Sequence, residues 1–213
     1  MQHAFGIDVP ETVSDMCQPE RAAVLVYDAQ VGILAHILDH DSVLAQARRV
    51  VDAARSAGAL VVYVRHVSVP PSHMGVGALK TAMAWQRLER AADVRSAFPP
   101  DASHAQLVEE LGPAADEPVF DKLAMSAFVG TPLEFVLRDR GVTTLIIVGA
   151  VLEIGIEPTA RHAADLGFLP VIVEDACGVV EREAAERTLA SLDYSLMSYR
   201  ATTSEVVQAL SAG

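Results

Sequence analysis

Short apolar runs recur along the chain, and the clearest of them are apolar at every position rather than at every second one. AAVLVY at Ala22–Tyr27 is the best example, and LVVYV and LIIV resemble it. A strand that is apolar on both faces is typical of a parallel sheet covered by helices. The pattern predicts these strands: Ala22–Tyr27, Leu60–Val64, Pro118–Phe120, Leu145–Val148, Leu169–Val173 and Arg200–Thr202.

Between these runs, apolar residues recur at helical spacing. Val43, Ala47 and Val50 lie on one face of a predicted helix that ends at Gly58, because glycine commonly terminates helices. Thr131–Glu134 has the form of a capping box with proline at the first helical position, which predicts a helix to Arg140. Further helices are predicted near Leu79–Arg90 and over Thr159–Leu166, Glu181–Leu192 and Ser204–Leu210.

Strands that alternate with helices predict an α/β fold, specifically a three-layer α/β/α doubly wound sheet of about six parallel strands. Residues 22–213 are predicted to form this one domain. Residues 1–21 show little periodicity and contain Pro10 and Pro19, so we interpret them as an irregular N-terminal arm. Because the arm also carries apolar residues such as Phe5 and Ile7, we expect it to pack on the domain or on a neighbouring subunit.

Composition and charge narrow the class of function. The 213 residues are 51% hydrophobic, and 16 Lys and Arg stand against 28 Asp and Glu, which gives a net charge of −12. Such a chain lacks the basic surface that binds nucleic acids and anionic membranes. No apolar run reaches the length of a membrane span, no signal peptide is visible, and Cys17 and Cys177 are too few for a disulfide framework. We therefore expect a soluble, cytoplasmic protein.

Residues that can carry chemistry follow the ends of the predicted strands. Asp28 follows the first, Arg65 and His66 the second, Lys122 the third and Gly149–Gly155 the fourth. Because ligands of open α/β sheets bind beyond the carboxyl ends of the strands, we expect these residues to share one cleft. Position alone leaves two interpretations of an aspartate and a lysine there: an acid–base pair with tuned proton exchange, or a structural ion pair.

Three segments together resemble the isochorismatase-like hydrolase superfamily, also called the cysteine hydrolase family. They are VLVYDAQ at Val24–Gln30, the stretch from DKLAMSAF to IIVGA at Asp121–Ala150, and GAVLEIGIEPTARHAADLGF at Gly149–Phe168. The resemblance implies a Rossmann-like α/β domain with hydrolase activity. It places the catalytic aspartate of that family at Asp28 and its catalytic lysine at Lys122.

Gly155 stands where most members of that superfamily carry a nucleophilic cysteine, and Leu152 stands at the position of the preceding threonine. Because glycine has no side chain, the resemblance implies that the thioester route to amide substrates is closed. True isochorismatases resemble this chain in having glycine there, and they hydrolyse a vinyl ether with the aspartate as general acid. We therefore predict a cofactor-independent hydrolase of a small metabolite, with Asp28, Lys122 and Gly155 as the catalytic residues.

Other residues near the strand ends are candidates for substrate contacts: Arg65, His66, Val151, Leu152 and Glu153. Arg65 either clamps a substrate carboxylate or forms an ion pair at the sheet edge. His66 and His73 lack the spacing of the zinc ligands in nicotinamidase-like relatives, so we predict a substrate contact at His66, no metal and no cofactor. Glu153 either acts as a base or caps the following helix.

Two alternative functions stay open. One is an amidohydrolase of a small amide or ureide, in which Asp28 or Glu153 activates water; the other is a catalytically silent protein that binds a ligand. All three functions predict a small-molecule partner, and the resemblance implies a homodimer or homotetramer and a cis peptide near Ala150–Val151. We further expect salt-bridge contact between Asp28 and Lys122, and amide N–H groups of Val151–Gly155 that face the pocket as an anion-binding turn.

Overall fold

A central parallel sheet organises the protein in a computed structural model that describes residues 1–212. Along the chain the strands are β1 (Gln2–Ala4), β2 (Ile7–Val9), β3 (Ala22–Tyr27), β4 (Leu60–His66), β5 (Val119–Lys122), β6 (Thr144–Ala150), β7 (Leu169–Gly178) and β8 (Tyr199–Ala201). The first two form an antiparallel hairpin. The other six form a parallel sheet in the order β5-β4-β3-β6-β7-β8. The predicted fold class is confirmed.

Helices cover both faces of this sheet. They are α1 (Val13–Met16), α2 (Val31–Leu34), α3 (His40–Ala57), α4 (Val76–Trp85), α5 (Leu133–Asp139), α6 (Glu157–Asp165), α7 (Arg182–Ser195) and α8 (Thr203–Ser211). A π-helical turn, Leu152–Ile156, leads into α6. Apolar residues of α3 and α8 pack on one face, whereas α5, α6 and α7 pack on the other.

Strand β3 explains why its sequence is apolar throughout. Val24 and Val26 point into the core under α3 and α8, while Leu25 and Tyr27 point into the core under α5, α6 and α7. All six residues of the strand are buried. A strand in the middle of a parallel sheet has no solvent face, so a period-2 pattern is absent.

The sheet has a topological switch point between β3 and β6. These two strands are neighbours, but the chain runs from β3 to β4 on one side and from β6 to β7 on the other. The close approach of the two strands requires Gly149, because a Cβ atom there would lie 2.0 Å from the carbonyl oxygen of Tyr27. Loops that diverge at such a point leave a crevice at the carboxyl ends of the strands, where ligands bind in this class of fold.

Several strands run further toward this edge than the apolar pattern predicts. β4 reaches His66, β5 reaches Lys122 and β7 reaches Gly178. The backbone ladder pairs Arg65 with Asp121 and His66 with Lys122. Backbone hydrogen bonds continue past the last apolar position, so polar residues at the edge remain part of the strands.

Two helix predictions require correction. The predicted capping box is absent, because Thr131 accepts from the Leu133 N–H and donates to the carbonyl of Ala127, and α5 begins only at Leu133. The helix predicted to continue to Arg90 ends at Trp85. Arg87 has φ 53°, in the left-handed region that cannot continue a right-handed helix.

The N-terminal residues are more regular than predicted, since they form the β1–β2 hairpin and α1. Met16 and Cys17 are buried in the core beside α8, whereas Phe5 and Ile7 of the hairpin are exposed. The boundary between an arm and a domain at residues 21 and 22 stays a prediction, and Gly213 lies outside the described residues. Within residues 1–212, no helix combines the length and apolar character that crossing a membrane requires.

Candidate active site

Asp28 and Lys122 form a buried ion pair at the carboxyl edge of the sheet. Asp28 directly follows β3, Lys122 ends β5, and β4 lies between these strands. Lys122 Nζ donates to Asp28 Oδ2 at 2.8 Å and to the carbonyl oxygen of Ala124 at 3.2 Å. The side chains of Lys122 and Asp28 are 0% and 7% exposed. The predicted salt-bridge contact is confirmed, and the catalytic roles of the two residues stay predictions.

The backbone at Asp28 turns the chain away from the sheet. Its φ of 45° lies in the left-handed region, which residues other than glycine adopt at an energetic cost. The N–H of Asp28 donates to the carbonyl of Val64 at 3.1 Å, and its own carbonyl accepts from the N–H of Gln30 at 2.7 Å. These bonds hold a short polar side chain at the point where β3 ends.

Burial sets the protonation of this pair. It raises the pKa of Asp28 from its ordinary 3.8 to about 6, although the charge of Lys122 opposes the shift. Burial also lowers the pKa of Lys122, and there the charge of Asp28 opposes it. A carboxyl group with such a pKa exchanges its proton near neutral pH, as a general acid or base must.

One oxygen of Asp28 has no partner in the part of the chain that the structure describes. Oδ2 accepts from Lys122, whereas Oδ1 is buried and receives no hydrogen bond from the described residues. Buried carboxylate oxygens are normally paired, because leaving one unpaired costs free energy. Asp28 is also one of the residues that line a cavity, so a molecule bound there would lie against this side chain.

The cavity beside Asp28 has a narrow inner part and a wide outer part. The inner part, about 170 Å³, is lined by residues that include Tyr27, Asp28, Val151 and Gly155. The outer cleft, about 970 Å³, extends below α4. The two parts share Gly32, His36, His66, Trp85, Phe98 and Met125 in their walls. Mostly apolar and aromatic walls with a few polar groups are typical of small-molecule sites.

Tyr27 packs directly against Gly155. A Cβ atom at position 155 would lie 2.1 Å from the Tyr27 hydroxyl oxygen and 2.6 Å from Cζ of its ring. The hydroxyl donates to the carbonyl of Met125, and the ring lies under the Lys122 ammonium, 4.3 Å from Nζ to the ring centroid. Burial and the charge of Asp28 raise the pKa of Tyr27, so the phenol stays protonated.

The segment after β6 departs in part from the predicted anion-binding turn. The Ala150–Val151 peptide bond is cis, as expected. However, the N–H groups of Ile154, Gly155 and Ile156 all donate to the carbonyl of Val151, at 3.0 to 3.3 Å. The π-helical turn thus consumes these donors, and the expectation that they face the pocket is wrong for Ile154 and Gly155.

His66 lies on the wall of both parts of the cavity. Burial lowers its pKa to about 4, and the nearby charge of Lys122 adds to this effect. The imidazole is therefore neutral at pH 7. Gln30 fixes the backbone of His66 from both sides, since its Nε2 donates to the His66 carbonyl at 2.9 Å and its Oε1 accepts from the His66 N–H at 2.8 Å.

The structure does not bring Arg65 to the cavity. Its guanidinium forms a bidentate ion pair with Asp121, at 2.7 and 2.9 Å, and a third hydrogen bond to Gln106 at 2.8 Å. Arg65 and His66 are the last two residues of β4, and neighbouring side chains of a strand point to opposite faces. The prediction of a substrate clamp is therefore wrong, and the alternative of an ion pair at the sheet edge is confirmed.

Leu152 and Glu153 also lie outside the cavity walls. Leu152 is 2% exposed and packs in the core under α5, α6 and α7. Glu153 Oε1 accepts from the backbone N–H groups of Val180 and Glu181, both at 2.8 Å, just before α7. Its carboxylate thus accepts hydrogen bonds from backbone N–H groups just before α7, whereas the cap was predicted for the helix that follows Glu153, which is α6. Of the predicted substrate contacts, only His66 and Val151 line the cavity, and their roles stay predictions.

Neither cysteine lines this cavity. Cys17 is fully buried beside α8, and burial raises its pKa to about 12. Cys177 is also buried, its Sγ lies 3.4 Å from the carbonyl oxygen of Ile147, and burial raises its pKa still further. A thiol becomes a nucleophile as its thiolate, and a raised pKa disfavours that form; that both cysteines are structural stays a prediction. Residues 1–212 contain no group of three or more His, Cys, Asp or Glu arranged to hold a metal ion.

Sequence reasoning missed two residues that shape the site. Tyr27 is the last residue of an apolar run and was counted only as part of the strand. Gln30 was noted only within a motif, yet it is fully buried and also donates to the carbonyl of Ala105 at 2.7 Å. The available signal is polarity, because a phenol one residue before Asp28 and an amide two residues after it each need a buried partner.

The fold and the site define a doubly wound α/β protein with a buried acid–ammonium pair at the switch point of its sheet. Residues 22–205 match the family of the isochorismatase domain. The chain belongs to the isochorismatase family, and it is a hydrolase of that family.

Similar proteins agree with this assignment. The chain is 31% identical to the isochorismatase family protein YwoC of Bacillus subtilis over 170 residues, which cover 80% of this chain and 84% of YwoC. A cysteine hydrolase from Pseudomonas syringae pv. phaseolicola shares the fold, with a TM-score of 0.77 and 24% identity over 92% of this chain and 94% of the other. An isochorismatase family protein from Burkholderia thailandensis has a TM-score of 0.72 and 26% identity, over 90% and 96% of the two chains.

Proposed function

We propose that this protein is a cofactor-independent hydrolase of a small metabolite that contains a vinyl ether. Asp28 is the general acid and base, Lys122 is its charge partner, and Gly155 replaces the nucleophilic cysteine of other members of the superfamily. The observation that carries the proposal is the state of Asp28. Its Oδ1 is buried and unpartnered among the described residues, the residue lines a cavity, and burial raises the pKa of its carboxyl group.

The reaction needs one proton donor and one water molecule. Protonated Asp28 transfers its proton to the terminal carbon of the enol ether, which leaves an oxocarbenium ion and the Asp28 carboxylate. Water adds to the cationic carbon and returns a proton to Asp28. The resulting hemiketal then breaks its C–O bond to give a ketone and an alcohol. Lys122 is 2.8 Å from Oδ2 and stabilises the carboxylate that forms in the first step.

The walls of the cavity favour a small substrate that combines an apolar part with a carboxylate. His66 is neutral and supplies one hydrogen-bonding ring beside Asp28. Within the described part of the chain, Arg95 is the only Asp, Glu, Lys or Arg residue that lines the outer cleft. Arg95, rather than Arg65, therefore binds the substrate carboxylate, because its guanidinium lies at the mouth of an apolar cleft.

A panel of substrates tests the reaction. The purified protein is assayed with isochorismate as the vinyl ether, with simple amides and with ureides. We expect hydrolysis of the vinyl ether alone. Turnover of an amide by the wild type and not by Asp28→Asn would favour the amidohydrolase, in which Asp28 activates water directly. No turnover of any class would favour a ligand-binding protein without catalysis.

We also propose that the protein is a cytoplasmic homodimer or homotetramer. The β1–β2 hairpin supports an assembly, since Phe5 is fully exposed and Ile7 is 63% exposed. Burying such side chains against a second subunit removes apolar surface from water. Light scattering at micromolar concentration tests this proposal, and a monomer would contradict it. The double variant Phe5→Ser/Ile7→Ser should then dissociate if the hairpin forms the interface.

A further inference from the structure

The side chain of Tyr27 connects three parts of the site. Its ring lies 4.3 Å from Lys122 Nζ, its hydroxyl donates to the carbonyl of Met125, and the same hydroxyl oxygen lies 2.1 Å from the place of a Cβ atom at position 155. The ring is rigid and 1% exposed, so it cannot move aside at low cost. Position 155 therefore accepts no side chain while Tyr27 is in place.

The backbone at Gly155 cannot easily withdraw from the ring. Thr159 Oγ1 donates to the carbonyl of Gly155 at 2.7 Å and accepts from the N–H of Ala127 at 3.0 Å. The N–H of Gly155 donates to the carbonyl of Val151 at 3.0 Å. Both polar groups of this residue are thus held, and a substitution must displace either Tyr27 or a buried hydrogen bond.

We propose that Tyr27 is a positioning residue that determines the chemistry of the cavity. Its phenol fills the space of any side chain at position 155, and its ring face holds the Lys122 ammonium beside Asp28. The proposal deepens the proposed function. The site is closed to a protein nucleophile at position 155 by the tyrosine as well as by the glycine, and it is restricted to substrates cleaved by proton transfer and water.

Four proteins test the steric part: the wild type, Gly155→Cys, Tyr27→Leu and the double variant. Because extra atoms in a close-packed core displace side chains and backbone, we expect Gly155→Cys alone to lower Tm by about 3–10 °C. In the Tyr27→Leu background the same substitution should lower Tm by less than about half as much. The introduced thiol should react with iodoacetamide at least about tenfold faster in the double variant, with Cys17 and Cys177 as unlabelled internal references.

Gly75→Cys is the matched control. No atom lies within 4 Å of a Cβ atom at that glycine, so its effect on Tm should be small and equal in both backgrounds. An equal cost of Gly155→Cys with and without Tyr27 would overturn the steric part of the proposal. If Gly155→Cys does not fold, folding of the double variant supports the proposal, and failure of both proteins overturns it.

The positioning part has a separate readout. Tyr27→Phe keeps the ring under Lys122, whereas Tyr27→Leu removes it. The free energy of unfolding is measured against pH, and its change near pH 6 reports the titration of Asp28. We expect Tyr27→Phe to titrate like the wild type and Tyr27→Leu to shift the midpoint upward by about half a pH unit or more, because a less well held ammonium stabilises the carboxylate less.

A purely structural tyrosine would lower stability equally at every pH and leave that midpoint in place, which would overturn the positioning part. None of these measurements uses a substrate. Failure of the vinyl-ether assay would therefore not contradict the role of Tyr27. Likewise, an equal cost of Gly155→Cys with and without Tyr27 would not contradict the proposed reaction.

Discussion

Two ion pairs lie side by side at the carboxyl edge of the sheet, and they differ in burial and in the hydrogen bonds of their carboxylates. Lys122 pairs with Asp28, and the preceding residue, Asp121, pairs with Arg65. Consecutive positions of β5 point to opposite faces. One pair is buried and leaves one carboxylate oxygen of Asp28 unpartnered, whereas Asp121 is 42% exposed and both its oxygens accept from Arg65.

The comparison separates an ion pair that holds structure from one that can do chemistry. Both pairs satisfy the simple description of opposite charges within 3 Å. In the buried pair, Asp28 has a raised pKa, an unpartnered carboxylate oxygen and a place in the lining of a cavity, whereas both oxygens of Asp121 are paired. Desolvation and an unfilled hydrogen-bonding position, rather than charge pairing, mark the candidate site.

The sharpest test substitutes the two aspartates in parallel. Asp28→Asn should lower kcat/KM by about 10²–10⁴-fold, because asparagine has nearly the same shape but cannot donate a proton. Asp121→Asn is the matched control at the same edge and should keep activity within about threefold. Steady-state kinetics measures both, and circular dichroism checks that each variant folds. Equal losses of kcat/KM in the two variants would contradict the conclusion that only the Asp28–Lys122 pair takes part in catalysis.

Removing the two cations should separate the pairs by stability. Lys122→Met leaves Asp28 buried without a charge partner, and breaking a buried pair in this way typically costs about 3–5 kcal/mol. Arg65→Met breaks a pair whose guanidinium is 18% exposed and whose carboxylate is 42% exposed, and it should cost less, about 1 kcal/mol. Urea unfolding at pH 7 measures both changes. A larger cost at Arg65 than at Lys122 would contradict the comparison.

The pH dependence of stability should report the titration of Asp28. Because the pKa of Asp28 is raised from 3.8 to about 6, the native protein holds this proton more tightly than the unfolded chain does. That contribution is fully present below pH 3.8 and is lost as the pH rises through 6, and it amounts to about 3 kcal/mol at most. The fall between these pH values should be missing in Asp28→Asn and present in Asp121→Asn.

The smallest expected effect is that of a thiol reagent. Cys17 and Cys177 are buried, neither lines the cavity beside Asp28, and burial raises the pKa of each thiol. Iodoacetamide should therefore leave activity unchanged within about twofold over an hour at pH 7. Mass spectrometry reports the labelled sites. Rapid, stoichiometric inactivation with label on either cysteine would replace the proposed mechanism with a covalent one.

The alternation of apolar runs and helical patterns was enough to predict the parallel sheet, and the apolar residues of β3 show why. A buried strand must be apolar on both faces whichever residues surround it, so this requirement is local and visible in sequence. The candidates Asp28 and Lys122 were also predictable, because each one ends a strand at the ligand-binding edge. Thr131 and Arg87 escaped prediction, since a side-chain bond to Ala127 and a left-handed residue depend on the surrounding structure.

The sequence by itself determined the class of fold, the ion pair and the glycine at position 155. Only the tertiary structure decided that Arg65 faces away from the cavity, that Glu153 binds the backbone before α7, and that Tyr27 fills the space beside Gly155. The physical reason is the range of the interactions. Hydrophobic periodicity acts between neighbours in the chain, whereas desolvation, steric exclusion and the choice of a hydrogen-bond partner depend on residues that meet only after the chain has folded.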